Sequence, residues 1–460
     1  MRRPRTEAWL AGAFAAAIGC LPALQAQSSD ALLDKLVEKG ILTTKEANEL
    51  KQETDKGFNT AMQSKLGIPD WVTAIKLGGD FRGRFEENNA VNAAYSDRDR
   101  FRYRLRFGAV VSLENNFDVG LRLASGNPMT GGAINGNPGG SSVSANTDFN
   151  SLDSRKFIWI DAAFARWTPL KTGEWTLSGT IGKMDNPFQL SNMVWDYDIN
   201  PEGGALQLAF HPSDKHALKM NSGIFVLDEI NQGVGAIPTL NPNHDPYLYG
   251  AQAVWEAKWH PRFETALGVA GFNIVHKDSL NAKAQPLYNS GNTRDVNGFL
   301  AYNMNPIVGT ASATYKLASF PGYVGEFPIK VLGEFIDNPG AASNHSGYRV
   351  GLGSGKGGKK GTWELNYRYQ RLESDAWLDA LVDDDNGAFY AAGNPQLVGT
   401  GKTSGWFGGT NVRGHLVQAS YFFTDYLNLS FTYYLNDLLI NAPGQPSDAS
   451  HFMADLMWKF

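Results

Sequence analysis

At 460 residues, with 50 glycines, 12% aromatic residues and one cysteine, the chain can bury a large core but has nothing from which to build a disulfide or thiolate–metal framework. Its formal net charge of −5 leaves no electrostatic footprint for nucleic acid. No apolar stretch after residue 26 approaches the length of a transmembrane helix, so any later crossing of a membrane falls to strands.

Residues 1–26 read as a secretory signal. Arg2, Arg3 and Arg5 precede an apolar run from Trp9 to Leu21, and Leu24-Gln25-Ala26 offers a cleavage site. A membrane anchor is the alternative, for which the run is short. Cys20 follows Ala17-Ile18-Gly19, which resembles a lipoprotein box without its leading leucine, and the apolar residues after it are unlike a lipoprotein start. Cleavage takes away three arginines and Glu7, removes the cysteine, and moves the net charge to about −7.

Residues 27–69 hold the one helical region. Leu32, Leu33, Leu36 and Val37 lie at helical spacing, Gly40 ends the run, and Thr43 with Glu46 forms a capping box for a second helix. Two short helices cannot bury a core alone. They are predicted as a periplasmic helical or coiled-coil element, or as a hairpin stabilised by docking or oligomerisation, followed by a linker over 51–69.

From residue 70 to the C-terminus the chain alternates. Ile75, Leu77, Phe81 and Phe85 share one parity, and Lys76, Asp80, Arg82, Arg84 and Glu86 share the other. Every second residue from Arg98 to Arg106 is then an arginine: Arg98, Arg100, Arg102, Arg104 and Arg106, interleaved with Phe101, Tyr103 and Leu105. A helix would spread these arginines around its axis, whereas a strand sets them on one face. After Glu114-Asn115-Asn116 the chain returns with Val119, Leu121 and Leu123 on one side and Arg122 on the other.

Alternating runs follow at 157–167, 175–183, 204–210, 217–227, 247–259, 263–275, 307–317, 329–336, 348–353, 363–371, 412–423, 427–436 and 452–460. With the first three they predict an all-β transmembrane antiparallel barrel of about sixteen strands over residues 70–460. Short connections at 114–117, 169–174, 211–216, 260–262, 318–328, 355–361 and 424–426 alternate with long polar ones at 88–96, 126–154, 185–203, 229–245, 276–305, 337–346, 374–411 and 437–450. An outer-membrane barrel sorts its connections this way, with tight periplasmic turns on one rim and long loops on the other; a Greek-key sandwich does not. The apolar face would then meet outer-membrane lipid, and the arginines would surround a water-filled lumen. The chain ends on Phe452, Ala454, Leu456, Trp458 and Phe460, which resembles the signal read by the outer-membrane assembly machinery, with Trp458 and Phe460 as its aromatic end.

The segment Gly182-Lys183-Met184-Asp185-Asn186-Pro187-Phe188, followed by Val194-Trp195-Asp196-Tyr197-Asp198-Ile199-Asn200-Pro201-Glu202-Gly203, resembles the family of putative porins of Gram-negative bacteria. The helical start at 32–50, the arginine-rich second strand and the strand and loop at 363–375 are similar too. The resemblance implies an outer-membrane channel and, by looser kinship, a likeness to phosphate-selective porins. It supplies no solute, and the pore lysines and arginines of those relatives do not map onto this chain residue by residue.

Arg82, Arg84, Arg100, Arg102, Arg104, Arg106 and Arg122 are the candidate pore-lining residues. Inside a low-dielectric wall their summed field would favour anions, unless acids across the lumen cancel it. By analogy with the third loops of general porins, Asp185, Asp196, Asp198 and Glu202 are the candidate acids of an inward-folded constriction loop; an outward loop with solvated acids is the alternative. Aspartates this dense could ligate calcium, but their spacing matches no calcium loop, so neither metal nor cofactor is expected.

The function predicted is a channel for small hydrophilic solutes or ions, possessing an arginine-lined, anion-favouring lumen and assembled as a homotrimer. The alternatives are a structural barrel that tethers the envelope through its N-terminal helices, and a barrel enzyme. Against catalysis, the eight histidines are scattered over turns, loops and distant strands, and no G-x-S-x-G is present.

Overall fold

The computed structural model describes residues 67–128, 139–229, 244–280, 290–398 and 403–460. The signal sequence and the helices predicted over 30–56 lie outside the described residues. The strands are β1 (Val72–Ala90), β2 (Arg98–Leu113), β3 (Phe117–Gly126), β4 (Thr147–Asp148), β5 (Phe157–Lys171), β6 (Trp175–Lys183), β7 (Glu202–Ser213), β8 (His216–Val226), β9 (Tyr247–His260), β10 (Phe263–Val275), β11 (Ile307–Leu317), β12 (Phe327–Asp337), β13 (Ser346–Gly355), β14 (Trp363–Leu372), β15 (Gly387–Tyr390), β16 (Gly405–Gly408), β17 (Val412–Phe422), β18 (Leu427–Leu438) and β19 (Ala449–Lys459).

Seventeen of these form one sheet, which closes because β1 pairs with both β2 and β19. Without the two-residue β4, the wall is an antiparallel barrel of sixteen strands. β15 and β16 form a separate small hairpin within the long connection from β14 to β17.

Period-2 alternation decides the facing. Along β2, Phe101 is 60% exposed and Leu105 and Phe107 are exposed, whereas Arg102 is 8% exposed and Arg104 is buried. The outward side chains are apolar, as a lipid-facing surface requires, because no water is available there to satisfy polar groups. Closure also leaves no open sheet edge.

Rim sorting holds by topology, since each strand pairs antiparallel with its neighbours. By length it is less clean than the sequence reading had it. β1 runs on to Ala90 and shortens the first long loop to 91–97, whereas the turn between β11 and β12 spans 318–326. Paired backbone continued into the polar residues Asn88 and Asn89, which the sequence reading assigned to the loop.

Candidate functional site: a charged constriction between the wall and two inward loops

Register brings the wall's charges together. Arg84 stands directly opposite Asp455 across β1 and β19, and its Nε and Nη2 donate to the carboxylate at 2.7 and 2.9 Å. Directly opposed residues share a face, so such pairs follow from register. Arg102 stands opposite Asp148 of β4, with Nε 2.8 Å from Oδ1, and its Nη1 donates to Glu86 at 3.2 Å. Arg100 also donates to Glu86, whose carboxylate is fully buried. Asp80 accepts from Arg104 at 2.8 Å and from Arg106 at 2.7 Å. Arg122 pairs with Asp161, the extra residue of a bulge in β5 opposite β3. A bulge re-aims one side chain, and here the re-aimed residue meets a cation.

The third long loop, between β6 and β7, folds into the barrel. Gln189 N donates to Gln252 of β9 at 2.8 Å, Ser191 donates to Glu334 of β12, and Arg349 of β13 donates to Asn192. Met184, Phe188, Met193, Val194 and Trp195 are buried against Phe225, Leu248 and Phe272 of the wall. Gly250 makes this close approach possible, because a Cβ there would sit 2.6 Å from the Phe188 ring.

A second inward segment from the β14–β17 connection interlocks with the first. Trp377 Nε1 donates to Val194 O at 2.8 Å, and Asp196 N donates to Leu381 O at 2.8 Å. A fully buried ion pair, Arg294 to Asp379 at 3.2 Å, ties that segment to the loop after β10.

The space left between these loops and the wall from β14 round to β2 is a cavity of about 400 Å³. Arg82, Arg84, Arg104 and Arg106 line it from the wall, and Asp196 and Asp198 from the third loop. Arg100 and Arg102 line a neighbouring cavity of about 480 Å³, and Asp384 and Asp385 border both.

Two of the four acids named on the third loop meet arginines: Asp198 lies 3.4 Å from Arg104, and Asp185 lies 2.8 Å from Arg122. Glu202 pairs with Lys183 at 2.9 Å. Among the described residues Asp196 pairs with no arginine. Its carboxylate accepts from Asp198 N at 2.7 Å and from Asp384 N at 3.4 Å, and Asp196, Asp383 and Asp384 each bring one oxygen within 4.8 Å of the others.

Burial, then the charge of its neighbours, raises all three carboxyls. Asp383 is pushed up to about 7 by burial and by Asp385, while burial and Asp383 hold Asp196, and burial and Asp385 hold Asp384, well above the usual range. Asp385 moves down: burial opposes its charge, but Arg84 and His451 outweigh it. Three carboxylate oxygens fall short of the six to eight that calcium takes.

The sequence reading missed Asp148, Asp161, Asp383, Asp384, Asp385 and Asp455 as partners. Asp80 and Glu86 were visible at arginine parity on β1, and Asp455 at the parity opposite to Trp458 on β19. Trp458 lies near the C-terminal end of β19, 5.9 Å from the Phe81 ring, and Phe460 follows the strand with its backbone bonded to Gly79.

Among solved structures, the chain is similar to Pseudomonas putida OprB in a high-pH form, with 12% identity and a TM-score of 0.50 over 86% of this chain and 96% of that one. Salmonella typhi OmpF in complex with daunomycin is 10% identical with a TM-score of 0.44, over 84% and 97% of the two chains. Pseudomonas aeruginosa OpdQ is 9% identical with a TM-score of 0.41, over 85% and 99%. At such identity the OprB match speaks to fold alone. No curated protein matches the chain. Residues 87–299 match the family described as putative porin. The resemblance read from the motifs at 182–188 and 194–203 is thereby shown: over residues 87–299 the chain carries the sequence pattern of the putative porin family.

Proposed function

We propose that the protein is an outer-membrane porin, a channel for passive diffusion of small hydrophilic solutes and ions. The family match and the closed sixteen-strand barrel support an outer-membrane channel. The observation that carries the reading is the charged cavity between the arginine-bearing wall and the aspartates of the inward loops. Water and small polar solutes are stabilised there, and lipid is not. Because nearly every arginine at the constriction faces a carboxylate, the compensated lumen is the reading we favour over the anion-favouring one, and the channel then selects weakly by sign of charge.

In this reading the exposed apolar belt meets outer-membrane lipid, Trp458 and Phe460 present the assembly signal, the copies associate as trimers, and residues 27–69 are periplasmic. The test is conductance of the detergent-purified protein in planar bilayers across a salt gradient, with a heat-modifiable gel shift as the fold control. Stepwise insertion events with a small reversal potential are expected. Folded protein that never conducts would leave the structural tether as the better account; loss of cell-wall attachment on deleting residues 30–56 is what that account predicts. Light scattering in detergent, with and without that segment, reads the oligomer.

A further inference from the structure

We propose that Arg368, which lies outside the arginine run, is the residue that binds anions in the constriction and sets the pore's ion preference. The inference rests on the channel reading. Arg368 lies on β14 and lines the same cavity as Arg82, Arg84, Arg104 and Arg106. Each of those four already has a partner. Arg84 is held by Asp455, with Asp385 3.5 Å away; Arg104 is held by Asp80 and Asp198; Arg106 is held by Asp80. Arg82 donates to Asn146 at 2.7 Å and lies 3.9 Å from Asp455.

Among the described residues Arg368 makes no hydrogen bond and no ion pair. Register explains why. Its directly opposed residues are Gly351 on β13 and Leu416 on β17, and the flanking same-face positions on β14 are Asn366 and Gln370. No carboxylate stands where Asp455 stands for Arg84. The nearest same-face charge on β13 is Arg349, opposite Gln370, and Arg349 is itself only 2% exposed and turned toward Asn192. Gly351 leaves room for the Arg368 stem, since a Cβ there would sit 3.3 Å from its Cγ.

An ion entering the constriction sheds part of its water and needs replacement donors. A guanidinium locked on a carboxylate has few to offer, whereas an unpaired one presents a fork of five. All the cavity's cations act on a passing ion through space, but of these five arginines Arg368 alone is held by no partner among the described residues, so its whole fork is open to the ion. Contact and field therefore add at Arg368.

The experiment compares Arg368→Gln with Arg106→Gln in planar bilayers under a potassium chloride gradient. Both remove one charge from the same cavity, and Asp80 keeps Arg104 in the second. Arg368→Gln is expected to lower the chloride-to-potassium permeability ratio by roughly threefold or more, about the effect of a unit charge about 6–7 Å away in water plus the lost contact. Arg106→Gln is expected to shift it by less than half as much. In the wild type, chloride current should saturate with concentration, in Arg368→Lys it should still saturate, and in Arg368→Gln it should rise linearly. Equal shifts in the two Gln variants, or unchanged saturation in Arg368→Gln, would overturn the assignment while leaving the channel intact. Folded wild-type protein without conductance would overturn both.

Discussion

The two halves of the barrel interior are built on opposite principles. From β14 round through β19 to β2 the wall carries the interior's charges, with Arg84 against Asp455 and Arg102 against Glu86 and Asp148, beside a small apolar cluster of Leu416, Tyr434 and Met453. On β8 to β12 the inward positions near the long-loop rim are Phe225, Leu248, Phe272, Ile274 and Ile336, all buried beneath the inward loops. The loops lie where the wall offers them apolar surface to cover. In the charged half the second inward segment brings carboxylates instead, with Asp385 3.5 Å from Arg84.

Each half can be broken separately. The largest effect is expected from Arg102→Glu. It removes one of the two arginines that hold a fully buried Glu86 and adds a third carboxylate beside Asp148. Breaking a buried pair costs about 3–5 kcal/mol, and denaturant unfolding of the detergent-refolded barrel should show a loss at the upper end of that range. An unchanged midpoint would mean that the pair is open to water.

Next comes Trp377→Ala in the apolar half. Trp377 is fully buried between the two inward loops and donates to Val194 O. Truncation of a buried tryptophan costs about 3–5 kcal/mol, but it falls on loop packing as well as on the barrel. Increased protease cleavage within 184–201 and noisier, larger single-channel currents are expected, and a silent variant would argue that the loops are held by their hydrogen bonds alone.

The acidic cluster sets a smaller, pH-dependent effect. Asp383 is raised from 3.8 to about 7. The folded state therefore binds protons that the unfolded chain releases between those values. Stability rises as pH falls from about 7 toward 4, by a few kcal/mol at most, and the contribution is lost above pH 7. The same protonation makes the constriction less negative, so anion preference should grow over that window. Asp383→Asn should flatten both profiles; profiles identical to wild type would place the titration elsewhere.

The smallest effect expected is that of Asp198→Asn. Its contact with Arg104 is long, at 3.4 Å, and Asp80 retains that arginine. Stability should change by less than about 1 kcal/mol, with a modest move of the reversal potential toward anions.

The sequence by itself determined the barrel. Period 2 over short runs, turns and loops alternating along the chain, and arginines at one parity of β2 are local facts, and local stereochemistry converts them directly into strands and facing. It also carried an unread hint of the loop plug. In Ile224-Phe225-Val226-Leu227 and Phe272-Asn273-Ile274-Val275 the lumen parity turns apolar, and apolar lumen positions need a cover.

Tertiary structure alone decided the partners. Asp455 lies 371 positions from Arg84, Asp383 reaches Asp196 only because two loops interlock, and Arg368 is left unpaired only because register sets Gly351 and Leu416 beside it. Charge at a pore is a property of who stands opposite whom. That is fixed by closure and register, which no run of neighbouring residues contains.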